Sequence, residues 1–305
     1  MRIGINGTGI ADRGDLDAIA SHARKADAQG FASYWLAQWM SVDALTVLSV
    51  LAHEVPRIEL GTGVVPVYGR HPLALAMQAL TAQAAMNGRL QLGIGLSHRP
   101  VVEDQMGLSY QRPARYMSEY VTALDSLLRT GEASLDGELL CCKASVVRIS
   151  ETPPAVLLAA LGPRMLDLAG TASAGTNLWM TGPRTVREYV APRIREAAER
   201  TNRPPPRIVV GLPICVTEDV ERARRDVRQA FGATSAFDTY RTVLAREGAE
   251  GPEDVALIGD ESQVRASLER LAQAGATEFV ATELCRTDEE VERTRSLLRS
   301  LLPDA

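Results

Sequence analysis

Eight short segments, each continuously apolar or alternating and each followed by a helical pattern, run through the 305 residues and predict a (β/α)8 barrel. The length suits one barrel of roughly 250 residues plus insertions. The competing doubly wound sheet should carry a GxGxxG turn. Its two near-misses fail at the third glycine, where Gly7-Thr8-Gly9 runs to Asp12 and Gly93-Ile94-Gly95 runs to His98. Residues 1–305 are therefore expected to form one barrel domain.

The elements follow in order. Arg2–Asn6 reads as the first strand and Asp15–Gln29 as a helix stopped by Gly30. Ser33–Ala37 is the second strand, and Asp43 is placed to cap a helix over Ala44–His53. Ile58–Val65 is nearly continuously apolar, as a parallel strand covered on both faces should be. Pro72 suits a first helical turn, and Asn87-Gly88 suits a stop, because both residues tolerate the left-handed conformation. The fourth strand, Arg89–Gly95, alternates Leu90, Leu92 and Ile94 with Gln91, Gly93 and Gly95, so one face is almost bare backbone to which something flat has access. A helix over Pro113–Arg129 ends at Gly131.

Residues 135–149 break the alternation and read as a hairpin or lid flanking the substrate pocket, with Cys141 and Cys142 as small apolar filler. Ala155–Leu161 and Thr176–Met180 are the fifth and sixth strands, with helices opened by Gly162-Pro163-Arg164 and Thr181-Gly182-Pro183. Arg207–Val216 is the seventh strand and Glu278–Thr282 the eighth. Asp219–Gly248, Asp260–Ala274 and Glu289–Leu302 read as helical.

Composition narrows the function. Net charge −5 and 5% aromatic residues argue against a nucleic-acid partner, which asks for a basic surface or stacking platforms. No apolar run approaches the roughly 20 residues of a membrane span, and MRIGINGTG lacks the apolar core of a signal peptide. Cys141, Cys142, Cys215 and Cys285 show no CxxC spacing, so reduced thiols and a cytoplasmic location are expected. The four histidines, His22, His53, His71 and His98, form no ligand pattern, and no metal site is expected. Gly95-Leu96-Ser97-His98-Arg99 fails the nucleophile-elbow pattern at its last position, and no GxxxxGK[ST] loop is present. What is left is an enzyme whose difficult chemistry belongs to a bound cofactor and whose substrate is a small molecule or peptide.

The stretches LGTGVVPVYGRHPLALAMQALTAQAAMNGRLQLGIGLSH, ALGPRMLDLAGTASAGTNLWMTGP and GDESQVRASLERLAQAGATEFVA resemble the luciferase-like monooxygenase superfamily, in particular its coenzyme F420-dependent oxidoreductases of actinobacterial type. The resemblance implies a barrel with an insertion, a homodimer, and a deazaflavin at the carboxyl ends of the strands. It places Thr62, Gly63 and Val64 at a bulge beneath the ring, where relatives often have a non-proline cis peptide. Ser97 and His98 lie beside it. Ala160-Leu161-Gly162-Pro163-Arg164 matches a phosphate-binding turn and Thr181-Gly182 a second anchoring turn.

Physical chemistry agrees that helix starts with free N–H groups hold anions. Many relatives carry an acid followed by histidine where this chain has Gln38-Trp39, and glutamine cannot shuttle a proton. That leaves His98 as the candidate proton donor, His71 as a second candidate, and Trp39 as a wall for the ring or substrate. The anionic F420 tail is expected to meet Arg70, His71, His98, Arg99, Arg112 and Arg164, with Arg164 foremost. The expected reaction is hydride transfer between reduced F420 and an activated C=C, C=N or carbonyl group. The alternatives are an FMN-dependent monooxygenase and a non-catalytic cofactor-binding protein.

Overall fold

The barrel strands are β1 Arg2–Asn6, β2 Ser33–Leu36, β3 Glu59–Thr62, β4 Leu90–Gly95, β5 Ala155–Leu158, β6 Gly175–Trp179, β7 Arg207–Val216 and β8 Glu278–Glu283. They pair in parallel, each with its neighbour in sequence. The ring closes where β8 pairs with β1 (Ile3 opposite Phe279). The computed structural model describes residues 1–235 and 237–303. The expected (β/α)8 barrel is thus the observed fold.

The helices are α1 Leu16–Ala28, α2 Ala44–Leu51, α3 Pro72–Ala85, α4 Pro113–Thr130, α5 Pro163–Ala172, α6 over residues 183–200, α7 Val220–Ser235, α8 Asp238–Glu247, α9 Glu261–Ala274 and α10 Asp288–Arg299. Local chemistry sets their ends. Asp15 and Asp43 accept the N–H groups of Ala18 and Thr46 at 3.0 and 2.9 Å, and Gly131 closes α4 in the left-handed conformation at φ 83°. No helix among the described residues is long and apolar enough to cross a membrane.

Three sequence expectations need correction. The strand expected over Ile58–Val65 is interrupted: β3 ends at Thr62, the Gly63–Val64 peptide is cis, and Val65–Pro66 resumes pairing with the end of β4. The helix expected over Asp219–Gly248 is two helices, α7 and α8. A further strand, Leu257–Gly259, pairs with the end of β7 and was not foreseen, because three residues carry too little periodicity.

The barrel interior is layered. At the amino ends of the strands, Glu278, which is fully buried, accepts hydrogen bonds from Ser33 Oγ, from Trp35 Nε1 (3.1 Å) and from Arg207. Arg207 also donates to Gln91 (2.7 Å) and Glu59 (3.2 Å). Above this polar plug lies an apolar layer of Trp35, Leu157, Val209 and Val280. Side chains alternate along a strand, so the same registers that seal the bottom aim Gly63, Asn177 and Thr282 at the mouth.

Residues 132–145 form a hairpin, beginning three residues before the hairpin or lid expected over 135–149. Its strands, Glu132–Asp136 and Cys141–Ser145, pair antiparallel on the outside of α3 and α4. The buried Glu119 of α4 accepts the N–H groups of Glu138, Leu139 and Leu140 at 2.8–3.0 Å and fixes the hairpin tip. Burial alone would raise the Glu119 pKa, but these bonds and Arg115 outweigh it and hold the pKa below the usual value. An insertion after a helix enters on the amino face, and this one climbs the wall until Cys141 O meets His71 and Glu138 meets Arg112 at the starts of α3 and α4. Cys142 is buried filler as expected, whereas Cys141 is exposed.

Candidate active site

The carboxyl ends of β1, β2 and β8 are tied together by Asn6. Its amide donates to Thr282 Oγ1 at 3.0 Å, and its carbonyl oxygen accepts from the N–H and hydroxyl of Thr8. The Thr8 hydroxyl in turn accepts from Ala37 N at 2.9 Å. Next to this brace, Gly63 N donates to Leu36 O (2.8 Å), and the exposed Gly63 and half-buried Val64 face the mouth. A Cβ on Gly63 would touch only Asn177 Nδ2 at 3.5 Å and Trp35 at 3.9 Å, so this surface is flat and open.

The bare face of β4 has a different purpose from the one expected. A Cβ on Gly93 would overlap the carbonyl of Thr62, and one on Gly95 would lie 2.7 Å from Val64 Cγ2. These glycines admit the end of β3, and Val64 fills the space they leave. Thr62 is buried and donates to Gly93 O at 2.8 Å, so it holds the bulge from behind.

Ser97 sits at φ 60°, a left-handed conformation that turns the chain at the end of β4. It brings His98 into an aromatic recess. The imidazole stacks on Phe237 at 4.0 Å and 7°, with Tyr240 at 5.5 Å and Trp39 edge-on at 6.5 Å. Among the described residues no hydrogen-bonding partner meets either ring nitrogen. Burial lowers its pKa from the ordinary 6.5, because the charged form loses hydration there.

His71 is placed otherwise. Its Nδ1 accepts from Leu73 N (3.2 Å), capping α3, and its Nε2 donates to Cys141 O (2.9 Å). Both nitrogens serve structure, and the ring is tied to the hairpin rather than to the recess around His98.

The two expected anion-binding turns also differ. Ala160 is buried and anchors the first, while Gly162 and Arg164 are open. A Cβ on Gly162 meets nothing within 4 Å, Pro163 fills the first helical position, and Arg164 has no carboxylate partner among the described residues. Arg246 Nη1 reaches Leu161 O at 3.5 Å, and its guanidinium lies 3.8 Å over Tyr189. At the second turn, Thr181 is buried and donates to Trp179 O, but the helix start beyond Gly182 is already taken. Glu247 accepts Arg184 N at 3.0 Å and Thr185 N at 2.7 Å. A Cβ on Gly182 would overlap that carboxyl.

Of the arginines in the expected cationic cluster, Arg70 pairs with Asp43, Arg99 with Glu103 (2.7 Å) and Arg112 with Glu138, whereas Arg164 has no carboxylate partner among the described residues.

Sequence reasoning missed Asn177, Phe237, Tyr240 and Glu247. Asn177 had a signal, since alternation within Gly175–Trp179 puts it inward with Gly175 and Trp179. The other three lie in or next to α8, whose separate existence had none.

The model of the luciferase-like monooxygenase family matches residues 3–278. The 5,10-methylenetetrahydromethanopterin reductase of Methanolobus tindarius is 28% identical over 232 residues, covering 75% of this chain and 71% of that protein. The fold is shared with coenzyme F420-dependent tetrahydromethanopterin reductase from Methanopyrus kandleri (TM-score 0.81, 21% identity, 99% of this chain and 98% of that one). It is shared too with an F420-dependent secondary alcohol dehydrogenase in complex with an F420-acetone adduct (TM-score 0.83, 16% identity, 99% and 98% coverage).

Proposed function

The chain belongs to the luciferase-like monooxygenase family, and from that premise we propose that it is an F420-dependent oxidoreductase. The observation that carries this reading is the division of labour between the two helix starts. One is closed by Glu247, while Gly162 and Arg164 are open to an anion at the carboxyl face of the barrel. A deazaflavin fits the residues present: Gly63 offers a flat open surface, Asn177 an amide beside it, and Arg164 a guanidinium for the phosphate and acidic tail. When bound in reduced form, F420 supplies a hydride to an electron-poor carbon. The chain's own part is to hold the ring over Gly63–Val64, to exclude water with Trp39 and the His98 recess, and to move a proton through His98.

The test is equilibrium titration of F420 and of FMN at low and high salt. F420 should bind more tightly, with the preference falling as salt rises, because salt screens the local attraction of Arg164 for the acidic tail. Arg164→Ala should weaken F420 by about 1.5–3 kcal/mol, the worth of a charged hydrogen bond. Tight FMN binding with negligible F420 binding would transfer the protein to the FMN-dependent monooxygenases.

The same reading carries a homodimer. Helix α3 is apolar nearly all round, yet its outer side is exposed at Met77 (52%), next to Val50 (65%) of α2. Such a helix is normally covered on both sides. Between α2 and α3 runs a groove of about 590 Å³ whose lining includes Ser49, Ala74 and Ala82, small enough for a second helix pair to approach closely. Sedimentation velocity should show a dimer that Met77→Glu converts to monomer. A wild-type monomer, or a variant that stays dimeric, would refute this interface.

A further inference from the structure

The mouth of the barrel is divided by charge. On the β5 side, Arg164 is free among the described residues and Arg246 lies at Leu161, so this half suits an anion. Around His98 the surface is of another kind. Phe237 stacks on the imidazole, and Tyr240 and Trp39 stand beside it. Trp39 (48%) and Met40 in the connection after β2, and Met106 and Leu108 in the connection after β4, are exposed.

Among the described residues, the rings beside His98 and the histidine itself come from three segments: the connection after β2, the connection after β4, and the start of α8. The first contains no arginine or lysine. In the second, Arg99 pairs with Glu103 and Arg112 with Glu138; in the third, Arg241 pairs with Asp238. Each of these charges is already offset by a carboxylate, so an anionic substrate would gain little attraction here against the hydration it loses. A cationic one would sit beside a histidine that must carry a proton to donate it.

We propose, on the reading that F420 occupies the β5 half, that the substrate is an uncharged, planar conjugated carbonyl compound of aromatic size, held against Phe237, Tyr240 and Trp39 with its oxygen towards His98. One face of Phe237 is spent on the imidazole, so a flat partner would meet its edge or other face together with the exposed Trp39, where offset stacking adds to the apolar area buried. In reduction, the electron-poor carbon takes the hydride, the π pair moves to the carbonyl oxygen, and that oxygen takes the His98 proton, which solvent replaces. Phe237 and Tyr240 are then specificity-determining residues.

Isothermal titration with three unreactive amides tests this, each with and without saturating F420: trans-cinnamamide, its 4-carboxy derivative, and crotonamide, which keeps the conjugated group but lacks the ring. Cinnamamide should bind at least about tenfold more tightly than either of the others. Phe237→Ala and Tyr240→Ala should each weaken cinnamamide about fivefold or more, with F420 affinity unchanged within about twofold. Equal or tighter binding of the carboxylate, or of crotonamide, overturns the proposal, as does unchanged cinnamamide affinity in both variants. Failure of the wild type to bind F420 is a separate result. It overturns the cofactor reading, while the titrations made without F420 still decide the substrate class.

Discussion

Replacing His98 by alanine lowers turnover by about 10²-fold or more, in the usual range for a lost general acid. That corresponds to about 2.7 kcal/mol of transition-state stabilisation. The expectation rests on position and environment together. His98 follows β4 at the open face of the barrel, is turned there by the left-handed Ser97, and has no hydrogen-bond partner among the described residues. A histidine held for structure would be expected to spend its nitrogens as His71 does, on a helix cap and a carbonyl. Gln38 cannot substitute, and its carbonyl oxygen already accepts from Arg70 at 3.4 Å. F420 affinity in the variant should stay within about twofold, because the residues proposed to hold the anion lie on the β5 side. Turnover within a factor of two of wild type, with chemistry limiting the rate, would remove His98 from the mechanism.

The same histidine is expected to set the pH dependence. Burial lowers its pKa below 6.5, so the protonated form that donates is populated only on the acid side of that value. For carbonyl reduction, kcat/KM should fall as pH rises through a midpoint below 6.5. For the reverse oxidation, where the neutral ring accepts the proton, it should rise through the same midpoint. His98→Ala should flatten both profiles. A wild-type midpoint above 7 would contradict the assignment.

The barrel was legible because it repeats. Each strand is long enough to show its pattern, and each helix carries a marker that acts locally, such as Asp15, Asp43, Gly131 or the prolines at 72, 113 and 163. The family resemblance likewise pointed to a cis peptide at Gly63–Val64, which the structure shows, and to a turn at Gly162-Pro163-Arg164, where a helix begins. What escaped depends on contacts between distant residues. The bare face of β4 suggested a ligand, whereas the structure places Val64 there, a contact that no local pattern encodes. Thr181-Gly182 looks like a second anion site until Glu247, more than sixty residues away, is seen to fill it. Phe237 and Tyr240 were hidden because α7 and α8 share one helical composition, and the contact of these two rings with His98, about 140 residues earlier, is made only in the tertiary fold. The hairpin's path follows from topology: a segment between helix and strand starts at the closed end of the barrel and reaches the starts of α3 and α4 only at its tip.

At that closed end the largest effect on stability is expected. Glu278→Ala should destabilise the protein by about 3 kcal/mol, at the lower edge of the cost of breaking a buried ion pair. The carboxylate is fully buried and accepts from Ser33, Trp35 and Arg207. Its removal leaves the Trp35 indole N–H with only Ser33 Oγ at 2.7 Å, and leaves Arg207 with Glu59 and Gln91. These remaining partners keep the cost from reaching the upper part of the range of about 3–5 kcal/mol. Glu278→Gln keeps the acceptor oxygen for Ser33 and Trp35 but loses the charge opposite Arg207, so it should cost less than the alanine. Urea unfolding checks both through the midpoint at unchanged slope. A loss below about 1 kcal/mol for the alanine variant would mean that the apolar layer above, Trp35 with Leu157, Val209 and Val280, holds the barrel closed without the plug. Because the mouth is built on the opposite ends of the same strands, the folded fraction of Glu278→Gln should keep its F420 affinity. That separates the part of the barrel that carries stability from the part that carries chemistry.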